Sequence, residues 1–174
     1  MGEHNHEDYR ISLAGLLACS HMIDEELFNI QVAPDTLMKR ASGSIIGHIW
    51  ITLGDWAFPS VAWDDFPVVI LGWWIESWLS TASEDHGTVR CNFMDGPYWY
   101  EITTSEAERA IVQCFRDSEA GSKLLHQSGC KRSSVTGALL AASESILQAC
   151  KELRWTSRDL DNLLLLHSNL RSTF

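Results

Sequence analysis

Phe93-Met94-Asp95-Gly96-Pro97-Tyr98-Trp99-Tyr100 reads as the centre of a β-hairpin. Asp-Gly between apolar runs is the strongest short-range hairpin signal, because both residues tolerate the backbone angles of a tight turn. Thr88 to Met94 and Tyr98 to Thr103 are the expected strands, and Pro97 must sit where no ladder donor is needed. The hairpin ends a stretch, Trp50 to Trp99, that holds seven of the chain's eight tryptophans. Indoles are bulky and highly buried on average, so such a cluster marks a core or a contact surface.

Just before the hairpin, Asp64-Asp65 ahead of Pro67 reads as a helix start, with acids at the positive end of the dipole and Pro in the first turn. Leu71, Trp74, Ile75, Trp78, Leu79 and Ala82 follow at helical spacing and make one broad apolar face. The helix is expected to fade by Ser83 to Gly87. Further upstream, Ile45 to Leu53 alternates as a strand, Gly54-Asp55 fits a two-residue type II′ turn, and Trp56-Ala57-Phe58 returns antiparallel. Val61 to Trp63 is a candidate continuation of that edge. Leu27 to Val32 reads as another strand, stopped by Pro34. Ile11 to Met22 is ambiguous, since Leu13, Leu16 and Leu17 fit a short helix that Gly15 weakens.

Downstream, Ala110 to Phe115 is a further strand. Residues 117–134, rich in Ser and Gly, read as a loop with a candidate short strand at Leu124-Leu125. Two helices close the chain. The first carries Val135, Leu139, Ala142, Ile146, Cys150 and Leu153 on one face. The second starts at Thr156 as N-cap, with Asp159 completing a capping box and Trp155 and Leu160 as a staple. Its apolar stripe is Leu160, Leu163, Leu164, His167 and Leu170. The expected fold class is α+β: a mostly antiparallel sheet of about 5–6 strands packed on helices, with a C-terminal helical pair. Residues 1–8 are expected to form a disordered acidic tail, and 9–174 a single domain.

At 174 residues and 45% apolar, the chain can build a core without disulfides or metals. The start lacks the basic and apolar regions of a signal peptide, and no run is long enough to span a membrane. The five cysteines, Cys19, Cys91, Cys114, Cys130 and Cys150, show no CxxC pair and read as reduced residues of a cytoplasmic protein. Charge is uneven. Residues 1–119 carry 6 Lys+Arg against 19 Asp+Glu, a balance of −13, whereas 120–174 carry 7 against 4, a balance of +3. An acidic surface of that size repels phosphate and speeds encounter with a basic protein, so no direct nucleic-acid contact is expected.

Candidate chemistry is sparse. His4 and His6, with Glu3, Glu7 and Asp8, have the donor types of a metal site, but a short solvated tail is the simpler reading and no metal is assigned. His21, His48, His86, His126 and His167 show no HxxxH or HExxH spacing and read as structural. There is no GxSxG elbow and no phosphate-binding GxxxxGK[ST] loop. Glu101 reads as a surface glutamate on an outward strand position. Trp74 and Trp78 lie on the apolar helix face and read as core. Trp73 and Trp99 point differently from their neighbours, and one or both are candidates for an exposed interface anchor. No catalytic residue and no cofactor is assigned.

Asp65-Phe66-Pro67-Val68-Val69, Gly72-Trp73-Trp74 and Phe93 to Tyr98 look like elements of small bacterial proteins of about this size. In type, the chain is similar to immunity proteins of polymorphic and contact-dependent growth inhibition toxin systems. The likeness spans residues 26–116 in character rather than in a defining motif, and no functional residue is carried over. It implies a small, acidic, cytoplasmic protein without cofactors that blocks a cognate toxin domain, often a nuclease, by occlusion. From the acidic and aromatic third of the chain, Asp64, Asp65, Glu76, Asp95 and Trp99 are the expected partner-binding residues, since the helix start and the hairpin turn should both lie at the surface. The alternative is an enzyme or small-ligand binder with a Trp-lined pocket between sheet and helix. A third is an oligomerising scaffold that uses the Leu-rich last helix.

Overall fold

Strand β2, Ile45–Leu53, buries every second side chain, Ile45, Gly47, Ile49, Ile51 and Leu53, as its alternation requires. It anchors the architecture in the computed structural model, which describes residues 25–81, 86–105 and 108–173. The acidic tail 1–8, the ambiguous segment Ile11–Met22, Cys19, His21 and Ala82 lie outside the described residues.

Gly54, at φ +55°, turns the chain so that β3, Trp56–Phe58, pairs antiparallel with the end of β2, in register Leu53 to Trp56. On its other edge β2 pairs with β1, Phe28–Lys39. Pro34 does not end β1. The register jumps between Ala33 and Met38, and Pro34 sits inside that bulge, where it owes the ladder no N–H. Thr36 repairs the gap: its hydroxyl accepts from the His48 N–H at 2.9 Å and donates to the Ala33 carbonyl at 2.7 Å. Gly47 lies against the bulge, where a Cβ would stand 2.8 Å from Leu37 Cδ2.

Val61–Trp63 does not continue β3. The edge resumes immediately after Trp63 as β4, Asp64–Asp65, paired with Gly47 and His48 of β2. Helix α1, Pro67–Leu79, does start with Pro in its first turn, but no side chain caps it and its first turn holds no acid. The two aspartates are a strand, not a cap.

The hairpin forms as its sequence requires. β5, Thr88–Asn92, and β6, Tyr98–Ser105, pair antiparallel around Gly96 at φ +71°, and the Phe93 N–H donates to the Tyr98 carbonyl at 3.1 Å. β7, Arg109–Ser118, adds to β6 and runs beyond the expected Ala110–Phe115. The main correction follows. Residues expected as a loop form β8, Gly121–Lys131, paired with β7 from Ser118–Gly121 to Arg109–Lys131. Only Ser128 and Cys130 of β8 are buried, so it carries no apolar alternation to announce it. Pairing with β7 imposes the strand.

The class is α+β, and among the described residues the strands are divided between two four-stranded antiparallel sheets rather than gathered in one. The lead-in to β1 touches the second sheet, where the Glu26 N–H donates to the Gly129 carbonyl at 2.8 Å. Helix α1 packs on β2 and β5, and helix α2, Arg132–Glu152, packs on β1 and β8. Helix α3, Arg158–Thr173, crosses over α1 and α2 from outside, completing the C-terminal pair. Its cap is Ser157, whose Oγ accepts from the Leu160 N–H at 3.2 Å, one residue later than the Thr156 expected. Leu153 and Leu164, expected on apolar faces, are exposed.

Two of the three tryptophans of α1, Trp74 and Trp78, are core. Trp74 meets Phe93 and Tyr100 edge-on, each at 5.1 Å between ring centroids, and its indole N–H donates to the Asn92 carbonyl at 2.9 Å. Among the described residues no helix is long and apolar enough to cross a membrane.

Candidate functional site

Antiparallel pairing of β4 with β2 puts Asp64 across from His48 and Asp65 across from Gly47. Alternation then sends the two carboxylates apart. Asp64 points out, with one oxygen 3.2 Å from His48 Nε2. Asp65 turns in and is only 3% exposed. Its Oδ1 accepts from the Phe66 N–H at 2.8 Å, and its Oδ2 accepts from the Met94 and Asp95 N–H groups at 3.0 and 3.2 Å. The β5–β6 turn is thereby pinned on Asp65, which brings Asp95 beside Asp64. Burial pushes the Asp65 carboxyl above its ordinary value, opposed by the backbone N–H groups of Phe66, Asp95 and Met94.

Asp64, Asp65 and Asp95 thus line one cleft of about 220 Å³, together with Phe66 and Arg40. The Arg40 guanidinium stands 5.6 Å from the centre of the Phe66 ring. Three of the five expected partner-binding residues converge here. Glu76 does not line this cleft; it is exposed on α1. Trp99 is not the exposed anchor expected. It is 8% exposed, stacked 4.1 Å from Phe115 with the Arg90 guanidinium 3.8 Å over its other side, and its indole N–H donates to Asp117 Oδ1 at 2.8 Å. Trp73, 45% exposed on α1, is the most open of the indoles.

A larger cavity, about 470 Å³, opens between α2 and α3, not between sheet and helix, and Trp155 is the one tryptophan lining it. Behind the lining residue His167, Ser143 Oγ stands 2.8 Å from His167 Nδ1. The pair is no nucleophile and base. Ser143 is fully buried, and its hydroxyl is committed to the Leu139 carbonyl at 2.7 Å, the usual back-bond of a helical serine. Sequence reading placed His167 on the apolar stripe but had no means of finding Ser143, which a different helix supplies.

Burial, joined by the Arg171 charge, pushes the His167 imidazole below its ordinary 6.5, against a smaller pull from Glu144. The folded protein therefore binds this proton less readily than the unfolded chain does. His167's contribution to stability is complete above 6.5 and is lost as pH falls below it. Urea unfolding of wild type between pH 7.5 and 5 is expected to show this loss, and His167→Phe is expected to flatten it. An equal slope in the variant overturns the assignment.

The remaining groups are structural. Cys91, Cys114, Cys130 and Cys150 are free and buried, and burial raises the Cys91 and Cys130 thiols to about 12, so both stay protonated. His126 stacks on Trp56 at 4.4 Å and meets Glu26 at 3.3 Å. Glu101 is a half-buried strand residue between Arg90 and Gln113. Among the described residues no cluster of three or more His, Cys, Asp or Glu could hold a metal ion. No protein-family model, curated protein or solved structure matches the chain, so the carboxylate cleft and the helical groove stand on their own geometry.

Proposed function

We propose that the chain is a protein-binding domain of the immunity type, which neutralises a basic toxin domain by seating one of its Lys or Arg side chains against Asp64 and Asp95. The observation that carries this reading is the convergence of Asp64, Asp65 and Asp95 on one open cleft. Among the described residues the cleft lining holds three aspartates and one guanidinium, that of Arg40, a balance that favours a second cation. The −13 balance of residues 1–119 favours the same kind of partner. Asp64 and Asp95 are exposed, and an incoming guanidinium would compete with His48 for Asp64, while Asp65 adds negative potential from below. Occupying cations that would otherwise hold a phosphate backbone accounts for inhibition without chemistry by the inhibitor itself.

The test is kinetic. The partner is captured from source cells on the tagged protein, identified by mass spectrometry and rebound at low and high salt. Asp64→Lys with Asp95→Lys is expected to slow association on the order of tenfold at low salt, with a smaller effect at high salt. Asp65 is left intact because the hairpin turn hangs on it. An unchanged association rate places the interface elsewhere and overturns the reading.

A further inference from the structure

The proton count at Ser143 decides the state of His167. Ser143 has one hydroxyl proton. Its Oγ is 2.7 Å from the Leu139 carbonyl and 3.1 Å from that of Leu140, so the proton goes to those acceptors. Ser143 Oγ must then accept at 2.8 Å from His167, whose proton lies on Nδ1. The other ring nitrogen, Nε2, carries a bare lone pair. No residue among those described donates to it, and the ring, 7% exposed, lines the α2–α3 groove.

Leu147, Trp155, Leu160 and Leu164 give that groove a largely apolar surface, beside the neutral polar Gln148, Thr156 and Ser168. Leu164 stays 54% exposed among the described residues. The charged residues of the lining balance, with Glu144 and Asp161 against Lys151 and Arg171, and Arg171 meets Glu144 at 3.4 Å. A volume of about 470 Å³ lies in the range of small-molecule sites.

We propose that this groove binds a small neutral molecule with an apolar body and one hydroxyl, which donates to His167 Nε2. A bare acceptor on a mostly buried ring that opens into a largely apolar groove favours a donor. The balanced lining gives no advantage to net charge, and an ammonium would shed its water for one neutral acceptor. A metal ion would need further ligands, and among the described residues no such cluster stands there. The site is separate from the carboxylate cleft, so its failure and that of the protein-binding reading are distinguishable.

The probes are 1-naphthol and its methyl ether, which share an apolar body and differ in the donor. Binding to the full chain is measured by calorimetry, with the histidine ring nitrogens followed by NMR. Naphthol is expected to bind at one site and shift the His167 Nε2 resonance, with the ether about tenfold weaker. His167→Phe should erase that preference. Leu164→Glu, at an exposed position, should leave the fold intact by circular dichroism and abolish binding of both probes. Equal affinity of the two probes for wild type overturns the proposal, as does naphthol binding that survives Leu164→Glu. Absence of saturable binding also overturns it. If Leu164→Glu then weakens capture of the protein partner instead, the groove is a protein-docking face.

Discussion

Trp78→Ala is expected to lower stability by about 3–5 kcal/mol, read as a lower urea midpoint at nearly constant slope. Trp78 is fully buried on α1, and its indole N–H donates to Thr136 Oγ1 of α2 at 3.0 Å. The side chain therefore joins two helices through residues 58 apart in sequence. Truncation removes a large apolar surface, opens a cavity and leaves the Thr136 hydroxyl without that donor. The Arg132 guanidinium, 5.9 Å over the same ring, would lose its aromatic face as well. Trp78→Phe separates the two contributions. It keeps most of the volume and should cost about 1–2 kcal/mol, chiefly for the lost hydrogen bond. A loss below about 1 kcal/mol in the alanine variant would mean that this face does not carry the core.

Asp65→Ala is the second large effect, at about 3 kcal/mol. The carboxylate accepts three backbone N–H groups, from Phe66, Met94 and Asp95, and no nearby side chain replaces it. Asp65→Asn keeps one acceptor oxygen but turns an amide N–H₂ toward a backbone donor, for a cost of about 1 kcal/mol. Amide hydrogen exchange supplies the independent readout. Met94 and Asp95 should exchange faster in the alanine variant, because their hydrogen bonds to Asp65 hold the turn down. Unchanged exchange at both would show that the turn stands without Asp65.

Where neighbouring residues decide the outcome, the order of the chain is enough. Ile45–Leu53 alternates and is a strand. Gly54 and Gly96 supply the positive φ their turns need. Pro67 opens a helix whose Trp74 and Trp78 face inward. These are properties of consecutive residues, set by periodicity and by backbone sterics, so no distant partner has to be known. The acidic balance that motivates a basic partner is legible in the same way.

Only the tertiary structure decided the rest, and in each case the cause is a partner far away in the chain. Gly121–Lys131 has too few buried positions to show a strand period, and it is a strand because β7 lies beside it. β1 passes through Pro34 because Thr36 supplies to His48 the acceptor that the bulge removes. Asp65 looked like a helix cap because acids before a Pro often are, yet its N–H donors at Met94 and Asp95 come from a hairpin about 30 residues on. Trp99 carries the composition of an anchor but is covered by Phe115 and Arg90 from neighbouring strands. The bare nitrogen of His167 follows from where a single serine proton goes, and Ser143 reaches it only because α3 folds back across α2. Local pattern determined most of the elements of this protein. Hydrogen bonds between distant residues determined which side chains are left free to meet something else.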